Sequence, residues 1–138
     1  MSNSIINTWT PVLTFATPGD LSVVYTTQLG LLAFQNGLYA VFFNIVTSTF
    51  THSTASGALQ ITGAPIANNS ALNIVGALAW SGITKANYTD IAAQFAASAT
   101  PTINFRASGS GQAVANLTTA DVPSGGTMNL RGTIMFVG

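Results

Sequence analysis

Asn36-Gly37 stands between two apolar runs, Leu31-Leu32-Ala33-Phe34 on one side and residues 38–49 (LYAVFFNIVTST) on the other. A two-residue type I′ turn needs positive φ at both central positions, which Asn and Gly tolerate best, so this dipeptide predicts a tight β-hairpin. The run that follows is long, β-branched and aromatic, and reads as a central, well-buried strand. A chain committed to such a hairpin must find a second layer to cover it.

The rest of the sequence points the same way. Thr, Val, Ile, Phe and Tyr occur in short runs separated by Gly, Pro, Asn and Ser, and no long 3.6-residue stripe appears. Strands are expected near residues 8–15, 22–29, 31–35, 38–49, 58–62, 71–80, 91–97, 102–108 and 127–136. Breaks fall at Thr17-Pro18-Gly19-Asp20, Asn36-Gly37, Gly63-Ala64-Pro65, Ser108-Gly109-Ser110-Gly111 and Pro123-Ser124-Gly125-Gly126. Residues 112–122 are ambiguous; Leu117-Thr118-Thr119-Ala120-Asp121 can form one helical turn capped by Thr118. Eight or nine short strands make the expected fold all-β, a sandwich or jelly roll. No internal repeat or linker divides the chain, so residues 1–7 read as a lead-in and 8–138 as one domain.

Charge narrows the function. Asp20, Lys85, Asp90, Arg106, Asp121 and Arg131 are the ionised side chains, 4% of the chain against roughly a quarter in an average soluble protein. Thr, Ser, Asn and Gln supply 47 residues, so polarity rests on hydroxyls and amides. Such an exterior suits burial against partner subunits or contact with sugars. Net charge is zero and no basic patch exists, which disfavours nucleic acid. Apolar runs are far too short to span a bilayer as helices, so membrane insertion is not expected. There is no cysteine, and Met1-Ser2-Asn3-Ser4 shows no secretory signal.

Catalytic chemistry is hard to assemble from this inventory, and the chain is expected not to be an enzyme. His52 is the sole histidine, with no carboxylate near it in sequence, and reads as a turn residue rather than a general base. Asp20, Asp90 and Asp121 each lie in turn-like contexts, where capping outweighs a paired-carboxylate role. Zinc ligands are absent, no EF-hand spacing appears, and no metal or other cofactor is expected. Sequons begin at Asn68, Asn87 and Asn116, as chance allows in an Asn- and Thr-rich chain. The best candidate for binding is the 80–88 loop, where Trp80, Asn87 and Tyr88 set aromatic rings beside amides, a combination suited to a sugar face. The alternative places Trp80 and Tyr88 in the core or an interface. Trp9, in Thr8-Trp9-Thr10-Pro11, is expected to anchor the first strand.

The order of motifs resembles a domain found at the C-termini of phage tail fibres and tailspikes. Thr8-Trp9-Thr10-Pro11-Val12-Leu13-Thr14-Phe15 comes first, then Tyr25-Thr26-Thr27-Gln28-Leu29-Gly30 and Asn36-Gly37 with Phe42-Phe43-Asn44-Ile45. Ser56-Gly57-Ala58-Leu59-Gln60-Ile61-Thr62-Gly63-Ala64-Pro65, Ala115-Asn116-Leu117-Thr118-Thr119-Ala120-Asp121 and Leu130-Arg131-Gly132-Thr133 complete it, over residues 8–135. The resemblance implies a jelly roll similar to tumour-necrosis-factor-like trimers. It implies a homotrimer at a fibre tip, contacting host-surface glycans and other virion tail proteins, on a virion assembled in the host cytoplasm. One departure is Leu31-Leu32-Ala33-Phe34-Gln35, where such domains often carry Tyr and Arg. It suggests that Leu31, Leu32 and Phe34 line the trimer interface. With so little sequence before the domain, the chain reads as an excised domain or a small standalone tip or adaptor. A structural virion component, such as a capsid decoration, neck or tail adaptor, is the alternative, and a carbohydrate-active enzyme comes third.

Overall fold

The computed structural model describes residues 5–137. Two antiparallel sheets face each other as a β-sandwich. The first sheet runs β1 (Ile5–Trp9), β3 (Ser22–Gln35), β4 (Leu38–Thr51), β11 (Asn129–Val137), β7 (Leu78–Ser81). The second runs β2 (Val12–Thr17), β5 (Ser56–Thr62), β9 (Ile103–Ser108), β8 (Asp90–Phe95), β6 (Ile74–Gly76), with β10 (Ala115–Asn116) added to β9. Between β10 and β11, Thr119–Asp121 makes a single 3-10 turn following Thr118.

The hairpin expected at Asn36-Gly37 joins β3 to β4, with φ of 52° and 85° at the two turn residues. β4 is central, paired with β3 on one side and β11 on the other. Its inward residues Val41, Phe43 and Ile45 are buried, and opposite them the second sheet contributes Phe15, Leu59, Phe95 and Phe105. Phe95 meets Phe136 edge-on across the gap, with ring centroids 5.0 Å apart. Burial on this scale, at about 25 cal/mol per Å² of apolar surface, is what holds so small a domain together.

Two expected strands are each divided between the sheets. Residues 8–15 split at Thr10-Pro11 into β1 and β2, because Pro11 has no N–H for a ladder and the chain turns there. Residues 71–80 split at Ala77 into β6 and β7. Each crossing closes one side of the sandwich, since β1 and β2 form one edge of the two sheets and β7 and β6 the other. Gly76 makes the second corner possible, because a Cβ there would lie 1.9 Å from the carbonyl oxygen of Thr133. An edge that crosses to the facing sheet offers little unpaired backbone to a stray strand. Conversely, the expected strands 22–29 and 31–35 are one continuous strand, β3. β1 begins within the stretch read as a lead-in, pairing Ile5 with Phe34.

Candidate functional site

Asp20, Asp121 and His52 are each engaged locally, while Asp90 is exposed at the start of β8. Asp20, in the β2–β3 turn, reaches the β4–β5 loop. Its carboxylate accepts the hydroxyl of Ser53 and the backbone N–H groups of Ser53 and Thr54 (both 2.8 Å), while Thr54 Oγ1 accepts the Asp20 N–H at 3.0 Å. These bonds, the Ser53 hydroxyl foremost, hold the Asp20 carboxyl well below the usual carboxylate range. Asp121 is buried, accepts the Thr118 N–H at 2.8 Å, and pairs with Lys85 Nζ at 3.0 Å. His52 Nε2 lies 2.7 Å from the carbonyl oxygen of Val122. A carbonyl only accepts, so Nε2 carries the proton and the ring is held as a strut beside Phe15 and Phe50. Among the described residues, no three His, Cys, Asp or Glu side chains converge as metal ligands would.

The 80–88 loop is divided in its roles. Trp80 lies on the edge strand β7, opposite Leu130 in register, and remains partly exposed. Asn87 is exposed in a left-handed conformation with φ of 68°, pressed against the Ser108-Gly109 turn, where a Gly109 Cβ would lie 2.2 Å from its carbonyl oxygen. Tyr88 is half-buried against the core; its hydroxyl donates to the Ala113 carbonyl at 2.9 Å and Lys85 Nζ stands 5.3 Å from its ring centroid. Among the described residues no hydrogen bond or ring contact joins Trp80 to Tyr88. Trp80 and Asn87 are therefore the members of this trio with surface to offer, while Tyr88 has both its hydroxyl and its ring occupied. The sequon asparagine Asn68 is fully buried, donating to the carbonyls of Leu72 (2.7 Å) and Phe95 (2.9 Å).

The 31–34 stretch alternates as a strand must. Leu31 points outward and is exposed, Leu32 is buried in the core, and Phe34 stacks on Tyr39 with centroids 4.5 Å apart. Of the three residues expected at an interface, Leu31 is exposed on the outer side of β3, while Leu32 is buried and Phe34 half-buried on its inner side. Beside Leu31, where β1 ends, lies a groove of about 370 Å³ lined by Thr8, Trp9, Thr10, Gln28, Leu29, Gly30 and Leu31. Gln28 donates its amide to the Pro11 carbonyl at 2.8 Å on its wall. Nothing in the sequence marks this groove, because its walls are brought together by the pairing of Trp9 with Gly30 across 21 positions.

The outer faces of the two sheets differ. On the second sheet, Thr14, Gln60, Asn104 and Gln94 stand side by side in register, a row of hydroxyl and amide groups. On the first sheet two neighbouring rows have apolar centres, Leu31 opposite Phe42 and Ala33 and Ala40 beside Met135.

No protein family matches this sequence, and no curated protein does. The fold, however, is similar to part of a phage protein. The crystal structure of the Dettilon tailspike protein (gp208) superposes with a TM-score of 0.62 at 14% identity, covering 95% of this chain. The chain spans 23% of that tailspike's length. At this identity the likeness concerns the fold: a two-sheet sandwich of this kind occurs as one part of a larger tailspike.

Proposed function

We propose that this chain is a tip domain of a phage tail fibre or tailspike, which assembles as a homotrimer and attaches the virion to a glycan on the host surface. The observation that carries the reading is the fold likeness to part of a tailspike over almost the whole chain. A surface of hydroxyls and amides with six charged side chains supports it, since neutral groups hydrogen-bond sugar hydroxyls without the desolvation cost of ions. Repeated passage of the chain between the sheets supports a jelly-roll winding, with β3–β4 and β8–β9 kept as hairpins inside one sheet. No hydrolysis is assigned to the domain: Asp20, Asp121 and His52 already have local partners, Asp90 is exposed at the start of β8, and among the described residues no three such side chains converge.

A structural role in the virion, as a capsid decoration, neck or tail adaptor, is favoured by one observation, the engagement of Tyr88 by Ala113 and Lys85. A glycan array probed with the purified chain separates the two readings. Binding to host-surface saccharides, without release of oligosaccharide, supports attachment. Silence on the host's own polysaccharide, together with virions that fail to assemble without the chain, supports the structural role.

A further inference from the structure

We infer that the outer face of the five-stranded sheet is the surface by which copies of this chain pack on one another, an inference that rests on the trimer reading and identifies its contact. Register places the residues. Ile6 stands opposite Ala33, which stands opposite Ala40 and then Met135; Thr8, Leu31, Phe42 and Thr133 form the next row, and Leu38 faces Val137 beyond the first. Because residues opposite each other in register, and those two apart along a strand, share a face, their side chains emerge on one side of the sheet, away from the core. Ile6, Leu31, Leu38, Phe42, Met135 and Val137 are each 40–71% exposed.

Six such side chains present on the order of 600 Å² of surface, at the upper end of the patch a typical monomer leaves in water and close to the ~800 Å² each partner gives to a standard interface. Three polar atoms on this face, Asn44 Oδ1, Asn129 Oδ1 and Thr133 Oγ1, are buried without a hydrogen-bond partner in the chain. Asn44 and Asn129 flank the apolar rows and Thr133 sits within one.

A second copy is the occupant the surface fits. In a threefold ring one part of the surface meets a different part of the neighbour and only side chains near the axis meet their own images, so a charge placed centrally on the face would gather like charges at the axis. Here Arg131 is the one ionised side chain on the face, at the margin beside Asn44 and clear of the rows. The opposite outer face, with its Thr14–Gln60–Asn104–Gln94 row, stays free for solvent and saccharide. The two outer faces of the sandwich thus differ in chemistry, one apolar at its centre and one lined by hydroxyls and amides.

The test is sedimentation velocity at micromolar concentration on the full chain and three variants. Phe42→Arg and Leu31→Arg place a guanidinium in the centre of the rows, whereas Val114→Arg puts one on an apolar side chain of similar exposure elsewhere. Circular dichroism and thermal melting confirm that each variant is folded, which is expected because the substituted side chains point outward. The wild type and Val114→Arg are expected to sediment as one multimer, and the two row variants as monomers of 14.2 kDa. A multimeric wild type whose mass survives both row substitutions overturns the face while leaving the trimer reading intact. A monomeric wild type overturns both.

Discussion

The indole of Trp9 lies across Gly30, occupying the space where a side chain on β3 would stand: a Cβ on Gly30 would sit 2.6 Å from Cε2 and Nε1 of the ring. The two residues are paired in the β1–β3 ladder, and Trp9 Nε1 donates to the Leu31 carbonyl at 3.1 Å. The ring thereby fastens the first strand to the long hairpin. Trp9→Ala is expected to cost about 3–5 kcal/mol and Gly30→Ala about 1–3 kcal/mol, measured by urea unfolding. Because Gly30→Ala harms only through the ring, it should cost much less in the Trp9→Ala background, a non-additive pair. Additive losses would refute the contact.

That contact shows which parts of the fold are legible in the sequence. The Asn36-Gly37 turn is local chemistry, two residues needing positive φ, and it falls where expected. Strand existence is legible for the same reason, since alternation and β-branching act over a few residues. Gly30, by contrast, looks like a break because its partner is distant; only the arrival of Trp9 makes a glycine mid-strand favourable. The corners at Thr10-Pro11 and Ala77 are equally hidden, since a chain that changes sheets keeps strand propensity on both sides. Among site residues, Trp80 is partly exposed on β7, and the commitment of Tyr88 to Ala113 depends on a residue 25 positions away.

The clamp between Asp20 and the β4–β5 loop predicts a pH signature. Its hydrogen bonds favour the ionised carboxylate, so the folded pKa lies below the unfolded value near 4. The stabilisation is therefore complete above about pH 4 and is lost as pH falls through that value toward the depressed one. Wild type should exceed Asp20→Asn in melting temperature at pH 7, and the gap should narrow as pH drops to about 2. A gap constant across this range would show that the carboxylate charge is not what the clamp uses.

Asp121 is the buried member of its ion pair with Lys85 and also receives the Thr118 N–H. Asp121→Ala strands both partners and should cost about 3–5 kcal/mol. Lys85→Met removes the charge but keeps an apolar stem over Tyr88, and should cost less. The order of the two losses in chemical denaturation checks this; a larger loss for Lys85→Met contradicts it.

Trp80 is 37% exposed on the edge strand β7, so the glycan-attachment reading predicts that Trp80→Ala weakens adsorption to host cells by more than an equally destabilising core substitution does, with oligomeric mass near wild type. Tyr88→Phe, which loses only the bond to Ala113, should reduce stability by about 1 kcal/mol and leave adsorption unchanged. Adsorption that ignores Trp80→Ala would remove this loop from the attachment surface.

The most direct test of the account is the native mass of the wild-type chain, measured by light scattering coupled to size exclusion at micromolar concentration. A tip domain with one small core and an uncovered apolar sheet face should elute as a homotrimer, three times the 14.2 kDa subunit. A mass of one subunit would contradict the trimer, the packing face and most of the case for a fibre tip.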